Sequence, residues 1–327
     1  MSQSLTSEYD GHNLVFVAGC ARSGTTWFQR ILASHPKIRT GPESHLFDHH
    51  IGPQLIAWDS SGDPTKPRAA GLSCYFSREE FRSILKSNLV QLLNPMVQNL
   101  SPGEVFLEKT PDNALYLPQI FELLPRARVI YVLRDARDVV SSLTAPESWL
   151  FNWAPSNARM AAEFWVRRIK AVRDAMPSIP AGQFHQIRYE ALLDSPVEVM
   201  RGTADFLGLD WSLADIEKAV EANRADQARK TGGTPIPVYG DRAERSGPVL
   251  VEPKGFIRRA KSGAWKKDLS LVQQFWVWRV AHATMAENGY YWSKGATLAF
   301  SPISSLVSLA RGGLKKTLFG EVKRQAV

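Results

Sequence analysis

The sequence predicts an α/β protein, a three-layer arrangement in which helices cover both sides of a parallel sheet and the C-terminal part is helical. Three observations carry this. An uncharged, β-branched run stops at a glycine loop that opens an amphipathic helix; a strand, helix, strand pattern spans residues 105 to 133; and a strand at Gln183 to Tyr189 follows a long helix.

The first run, Leu14-Val15-Phe16-Val17-Ala18, has no charge and ends at Gly19, as a strand buried on both faces does. Trp27, Phe28, Ile31 and Leu32 then recur at helical spacing, and His35-Pro36 ends the helix because the residue before proline avoids the helical region. Val105-Phe106-Leu107 and Val129-Ile130-Tyr131-Val132-Leu133 are the next two strands. Between them Leu117, Ile120, Phe121 and Leu124 form a helical stripe, so the unit is β-α-β with parallel strands and a right-handed crossover. Ala161, Trp165, Ile169 and Val172 mark a helix over 158 to 175. Asp59 to Gly71 and Thr231 to Pro253 read as surface loops, and the last third carries helices at Leu213 to Ala222 and Leu271 to Asn288 without a convincing strand. Residues 1–293 are expected to form one domain, with residues 294–327 as a basic tail, amphipathic or disordered.

Of 327 residues, 44% are hydrophobic and 22% charged, which excludes a disordered or fibrous chain. Two cysteines exclude a disulfide framework and suit a reducing compartment. The polar start with Glu8 and Asp10 lacks a secretory pattern, and the uncharged stretch from Gly295 to Ala310 contains Pro302 and falls short of the ~20 apolar residues of a spanning helix. A cytoplasmic location is expected. The net charge of +8 implies an anionic partner: nucleic acid, membrane surface or a small polyanion.

Gly19-Cys20-Ala21-Arg22-Ser23-Gly24-Thr25-Thr26 has the outline of a P-loop between a strand and a helix, so backbone N–H groups and a helix N-terminus should hold a phosphate-like anion. The expected lysine is missing: Thr25 occupies its place, and the basic group stands at Arg22. No apolar strand ends in a plausible magnesium aspartate; the best one ends in Arg134-Asp135. A metal-dependent triphosphate enzyme is therefore disfavoured. Cys20 as a phosphatase nucleophile would need a loop arginine farther along, and a small buried residue is the preferred reading.

Arg22-Ser23-Gly24-Thr25-Thr26-Trp27 with its helix resembles the 5′-phosphosulfate loop of sulfotransferases that use 3′-phosphoadenosine 5′-phosphosulfate (PAPS). The stretch from Val129 through Arg134 to Ser142 is similar to the family's 3′-phosphate segment, with arginine and serine converging on one phosphate. Ile187 to Leu193 is similar to the segment whose tyrosine, here Tyr189, contacts adenosine. Phe256 to Lys266 resembles the C-terminal loop over the 3′-phosphate, with Arg258 matching, Arg259 for its lysine and Ala260 for its first glycine. The resemblance implies PAPS as co-substrate, a hydroxyl-bearing acceptor and no metal. Trp27 is either core packing or a ring for adenine.

The family's phenol-type enzymes carry a histidine after a lysine-threonine pair, but here Lys109-Thr110 precedes Pro111. Glu43, in Gly41-Pro42-Glu43 just after the first helix, stands where glutamate-type members keep their base, with His45 next in line. Arg22 and Lys109 are expected to neutralise charge on the transferred group. His45, Asp48, His49 and His50 suggest a metal cluster, but solvated loop histidines are preferred. Trp149, Phe151 and Trp153 are candidates for an acceptor pocket. The Phe106 to Asp112 segment and a glutamate base lean towards a glycan or glycolipid hydroxyl, with peptidyl tyrosine or a small phenol behind it; a nucleotide-binding module without turnover is the alternative. Most of the excess charge sits in the tail: Lys294, Arg311, Lys315, Lys316, Lys323 and Arg324 against Glu321. That tail is a candidate for peripheral membrane contact, and nothing in the sequence requires nucleic acid.

Overall fold

β1 (Leu14–Gly19) is buried at every position and forms the centre of the sheet in a computed structural model of the chain. The structure describes residues 8–60, 70–145, 153–224, 226–227, 230, 234–238, 249–250 and 261–304. Five strands run in the order β2-β3-β1-β4-β5, with β2 (Ile38–Thr40), β3 (Val105–Lys109), β4 (Arg128–Leu133) and β5 (Phe184–Arg188). Every pairing is parallel. The expected β-α-β pair is thus split: β3 and β4 do not touch, because β1 lies between them.

The chain folds as two units, Met1–Arg134 with Arg167–Ser262, and Asp135–Val166 with Gly263–Val327. In the first, strand alternation sends Val15 and Val17 of β1 to one face. They pack in one core with Phe28 and Ile31 of α1 (Thr25–Leu32), Leu192 of α7 (Tyr189–Asp194), Met200 and Ala204 of α8 (Pro196–Leu207) and Ile216 of α9 (Leu213–Ala222). On the other face Phe16 meets Phe47 edge-on at 5.7 Å. Phe47 lies in a π-helix, Leu46–Ile51, that runs into α2 (Gly52–Asp59). The histidines read as loop residues therefore sit on or beside a helical turn. α3 (Arg78–Val97) opens with a complete capping box between Ser77 and Glu80. α4 (Leu117–Leu123) matches the expected stripe. A two-stranded antiparallel ribbon, β6 (Ile236–Pro237) with β7 (Val249–Leu250), corrects the expectation of no strand in the last third.

The second unit contains α5 (Ala136–Leu143), started by the Asp135 side chain on the Arg137 N–H, and α11 (Leu271–Glu287), which follows the short α10 (Trp265–Asp268). The long helix expected over 158 to 175 is present as α6 (Ala158–Ala175), of which residues 158–166 belong to this unit. Residues 294–304 of the expected tail are helical, and Phe300 is buried against Phe275 and Trp278; residues 305–327, with most of the tail's basic groups, lie outside the described residues. Among those described, no helix is long and apolar enough to cross a membrane.

Candidate active site

The loop between β1 and α1 owes its shape to two left-handed residues, Arg22 at φ 72° and Gly24 at φ 88°, on either side of Ser23. The Ser23 N–H donates to the Cys20 carbonyl at 3.0 Å, which closes the curl. Gly24 is the N-cap of α1, so no side chain caps this terminus, and the first turn holds no acid. The first-turn N–H groups and the positive end of the helix therefore remain for an anion. The Ser23 hydroxyl is buried with no hydrogen-bond partner among the described residues, which an oxyanion would supply.

Tyr189, the first residue of α7 rather than the last of a strand, closes over this loop. A Cβ at Gly24 would sit 2.5 Å from its ring, Trp27 meets the ring edge-on at 6.0 Å, and the Arg134 guanidinium stacks on it at 3.9 Å. Arg134 also donates to the carbonyls of Arg22 at 2.7 Å and Lys261 at 3.2 Å. It thus joins the phosphate-type loop to the segment that follows residues 258–260. Trp27 donates its indole N–H to the Asn223 carbonyl at 2.8 Å, fixing α1 to the end of α9.

Glu43, Lys109 and Thr26 meet at the C-terminal edge of the sheet. Lys109, the last residue of β3, is buried; its ammonium donates to Thr26 Oγ1 at 3.2 Å and pairs with Glu43 Oε1. The other Glu43 oxygen, Oε2, faces His45 Nε2 at 3.6 Å. Burial on this scale rules out a surface-charge role for Lys109, whose side chain is 6% exposed. The loop bearing Glu43 is held from two sides. Gln29 of α1 donates to Thr40 Oγ1 at 2.7 Å and to the Gly41 carbonyl at 2.9 Å. Glu108, buried beside Lys109, accepts from the Ser44 N–H and hydroxyl, the Thr110 hydroxyl and the Asn113 amide.

Glu108 is one residue that sequence reasoning passed over; its signal was an acid next to Lys109 at the buried end of an apolar strand. Glu108→Ala leaves four donors without their acceptor in a buried pocket, and each orphaned group costs about 1–3 kcal/mol before relaxation. The expected outcome is a loss of a few kcal/mol in chemical denaturation.

Cys20 is fully buried, and burial pushes its thiol up to about 12, with Arg168 opposing and Asp112 adding. A thiol held protonated cannot attack phosphorus. Iodoacetamide at pH 8 is expected to label the exposed Cys74 alone in the native protein and both cysteines after denaturation, as peptide mass mapping would show.

Asp135, weighed above as a metal aspartate, instead caps α5 and pairs with Arg137 at 2.6 Å. Ser142 stands half-buried on α5 in the second unit. In the same unit Asp138 accepts from the Gly263 N–H at 2.7 Å and the Trp265 N–H at 3.1 Å, fixing the far end of the expected 3′-phosphate loop. Arg258, Arg259 and Ala260 lie outside the described residues, as do Trp149 and Phe151; Trp153 is exposed and stacks on Phe164. His45, Asp48 and His49 bring ligating atoms within 4.8 Å of one another. The His45 and His49 rings are stacked 4.5 Å apart at 10°, so their in-plane lone pairs run side by side and do not converge on one ion.

A family model described as the sulfotransferase family matches residues 15–212, from β1 to the start of α9. The chain belongs to that family. A protein-tyrosine sulfotransferase of Drosophila melanogaster is 23% identical over 241 residues, covering 73% of this chain and 45% of its own length. Protein-tyrosine sulfotransferase 1 of Danio rerio is 24% identical, with 73% and 62% covered. The chain spans less than two thirds of the length of these curated relatives. Among solved structures, a mouse sulfotransferase complexed with PAP aligns with TM-score 0.53 at 12% identity over 85% of this chain and 86% of that one. A sulfotransferase domain from the curacin biosynthetic pathway aligns with TM-score 0.54 at 18% identity over 88% and 100%. These similarities confirm the α/β fold expected from the sequence.

Proposed function

We propose that the protein transfers the sulfuryl group of PAPS to a hydroxyl-bearing acceptor. The observation that carries this is the Glu43, Lys109 and Thr26 cluster beside an uncapped phosphate-type helix terminus. Sulfuryl transfer resembles phosphoryl transfer, in which charge gathers on the transferred and bridging oxygens while bonds loosen, so positioning and electrostatics dominate. Loop N–H groups at Ser23 to Thr26 hold the 5′-phosphate, with Arg134 and Ser142 assigned to the 3′-phosphate and Arg258, Arg259 and Ala260 to the loop over it. Lys109 and Arg22 balance charge on the leaving bridge, and Glu43 removes the acceptor proton. When the nucleotide enters, Lys109 exchanges part of its bond to Glu43 for the bridging oxygen, which frees the carboxylate as a base at the moment it is needed.

Two acceptor classes suit a glutamate base. The glycan reading drew on the Phe106 to Asp112 segment, yet there Glu108 holds the Ser44 loop and Asp112 forms a two-point pair with Arg168, so that segment is scaffold. A glutamate base serves glycan and tyrosyl hydroxyls alike. The names of the relatives favour the tyrosyl one.

The test is incubation with radiolabelled PAPS and a panel of glycans, glycolipids, tyrosyl peptides and phenols. Labelled product from one class assigns the acceptor. Failure to bind PAPS or its 3′,5′-bisphosphate product rejects the reading, and tight product binding without transfer to any hydroxyl assigns a nucleotide-binding module instead.

A further inference from the structure

Glu43 does not face the acceptor side alone. Its two oxygens are divided, Oε1 towards Lys109 and Oε2 towards His45 Nε2, 3.6 Å away. Behind His45 lies Asp48, whose Oδ2 is 2.8 Å from His45 Nδ1. A carboxylate only accepts, so Nδ1 carries the hydrogen and the neutral ring turns the lone pair of Nε2 towards Glu43. Two lone pairs facing each other repel, and a single proton between them makes the contact favourable. The π-helix creates this arrangement: His45, in a left-handed conformation at φ 52°, is its N-cap, and Asp48 lies three residues on, on the same side.

From this geometry we propose that His45, oriented by Asp48, receives from Glu43 Oε2 the proton that Glu43 removes from the acceptor, so the carboxylate is reset within each turnover. The inference rests on the reading of Glu43 as base. The steps balance: the acceptor oxygen bonds to sulfur as the bridging oxygen to sulfur bond breaks, the acceptor proton goes to Glu43 Oε2, and 3′-phosphoadenosine 5′-phosphate leaves with the bridging electron pair. The proton then moves to His45 Nε2, and the imidazolium passes it to solvent through the exposed side of the ring, which is 39% accessible. His45 touches no reacting atom and is a positioning and proton-storing residue.

The surroundings suit an imidazolium. Burial opposes the charged ring, but the Asp48 hydrogen bond and the charges of Asp48, Glu43 and Glu108 outweigh it and raise the His45 pKa. Asp48 Oδ1 is buried without a hydrogen-bond partner among the described residues, so the carboxylate directs its charge at the ring. His49 stacks on the open face and lies 3.7 Å from the same Asp48 oxygen, Oδ2, and Lys109 stands across Glu43. Since only neutral His45 can accept the proton, turnover falls as pH falls through its pKa.

The test has two arms. In histidine-labelled protein, 15N NMR is expected to show neutral His45 with hydrogen on Nδ1, and Glu43→Gln or Asp48→Asn to lower its titration midpoint; hydrogen on Nε2, or a midpoint unmoved by both variants, overturns the relay whether or not an acceptor is known. In the transfer assay, His45→Gln is expected to lower kcat by about 10²-fold with KM for PAPS unchanged and to remove the acid limb of the pH profile. Asp48→Asn should shift that limb to lower pH, and imidazole should rescue His45→Gly. A wild-type protein that transfers sulfuryl while His45→Gln keeps its rate and pH profile overturns the relay and leaves the base assignment standing; a Glu43→Gln protein at full rate overturns the base assignment itself.

Discussion

Glu43→Gln lowers the single-turnover rate of sulfuryl transfer by about 10²- to 10⁴-fold, the range that loss of a positioned general base produces. The substitution keeps the shape of the side chain and removes its capacity to take a proton. Nucleotide affinity is expected to stay within a few-fold, because the loop N–H groups, the α1 terminus and Arg134 are untouched. That separation makes the result diagnostic. A variant that lost both rate and affinity would have lost the Gly41 to His45 loop, not the base. The side effect falls on Lys109, which is buried and is left with neutral acceptors, the Thr26 hydroxyl and the amide oxygen of the new glutamine, in place of a carboxylate. Removing one member of a buried ion pair strands the other charge, so thermal stability also drops without bound nucleotide and recovers when the product, PAP, is added. An unchanged rate, measured with radiolabelled PAPS and any competent acceptor, removes Glu43 from the mechanism.

What the sequence disclosed follows from where its signals lie. β1, its loop and α1 are one contiguous stretch in which apolar runs, glycines and helical spacing agree, so the anion loop is legible residue by residue. The same holds for β3, α4 and β4. β2 escapes because it is three residues long and buried only at Ile38 and Thr40, too short to show a period. Sheet order escapes for another reason: nothing within residues 105–133 says that a strand ninety residues earlier inserts between its two strands.

Glu43 and Lys109 were each readable by likeness, but their pairing was not, since 66 residues separate them and the register of β2 with β3 is what aligns their ends. Asp48 gained its role from the π-helix, which widens the turn around residues 46–51 and has no compositional signature. Glu108 and Gln29 are the clearest misses: polar groups inside apolar patterns, each holding the Glu43 loop from a different element. Their task is positional, so their neighbours in sequence say nothing of it. The second unit was illegible for a similar reason: it is assembled from residues 135–166 and 263–327, two stretches joined by contacts such as Asp138 to Gly263 and not by any change of composition.

Gly24→Ala is expected to abolish nucleotide binding and to destabilise the protein at the same time, by two separable causes. The backbone at Gly24 has φ 88°, a left-handed conformation that costs an alanine about 1–2 kcal/mol. The new methyl group would also stand 2.5 Å from two carbons of the Tyr189 ring. That ring cannot retreat freely, because Arg134 covers one face and Trp27 meets its edge. Overpacking of this kind costs about 1–3 kcal/mol, so the total lies at several kcal/mol. Displacing the ring loosens Arg134, which in turn holds the Arg22 carbonyl that shapes the anion loop. A companion variant tests the causal order: Tyr189→Ala removes the clash but not the backbone cost, so the double variant should recover the packing part of the stability loss and none of the conformational part. Calorimetric titration with PAP and chemical denaturation of the three variants decide the matter. Recovery of full stability in the double variant would show that the left-handed backbone is immaterial, and no recovery would show that the Tyr189 ring is free to move.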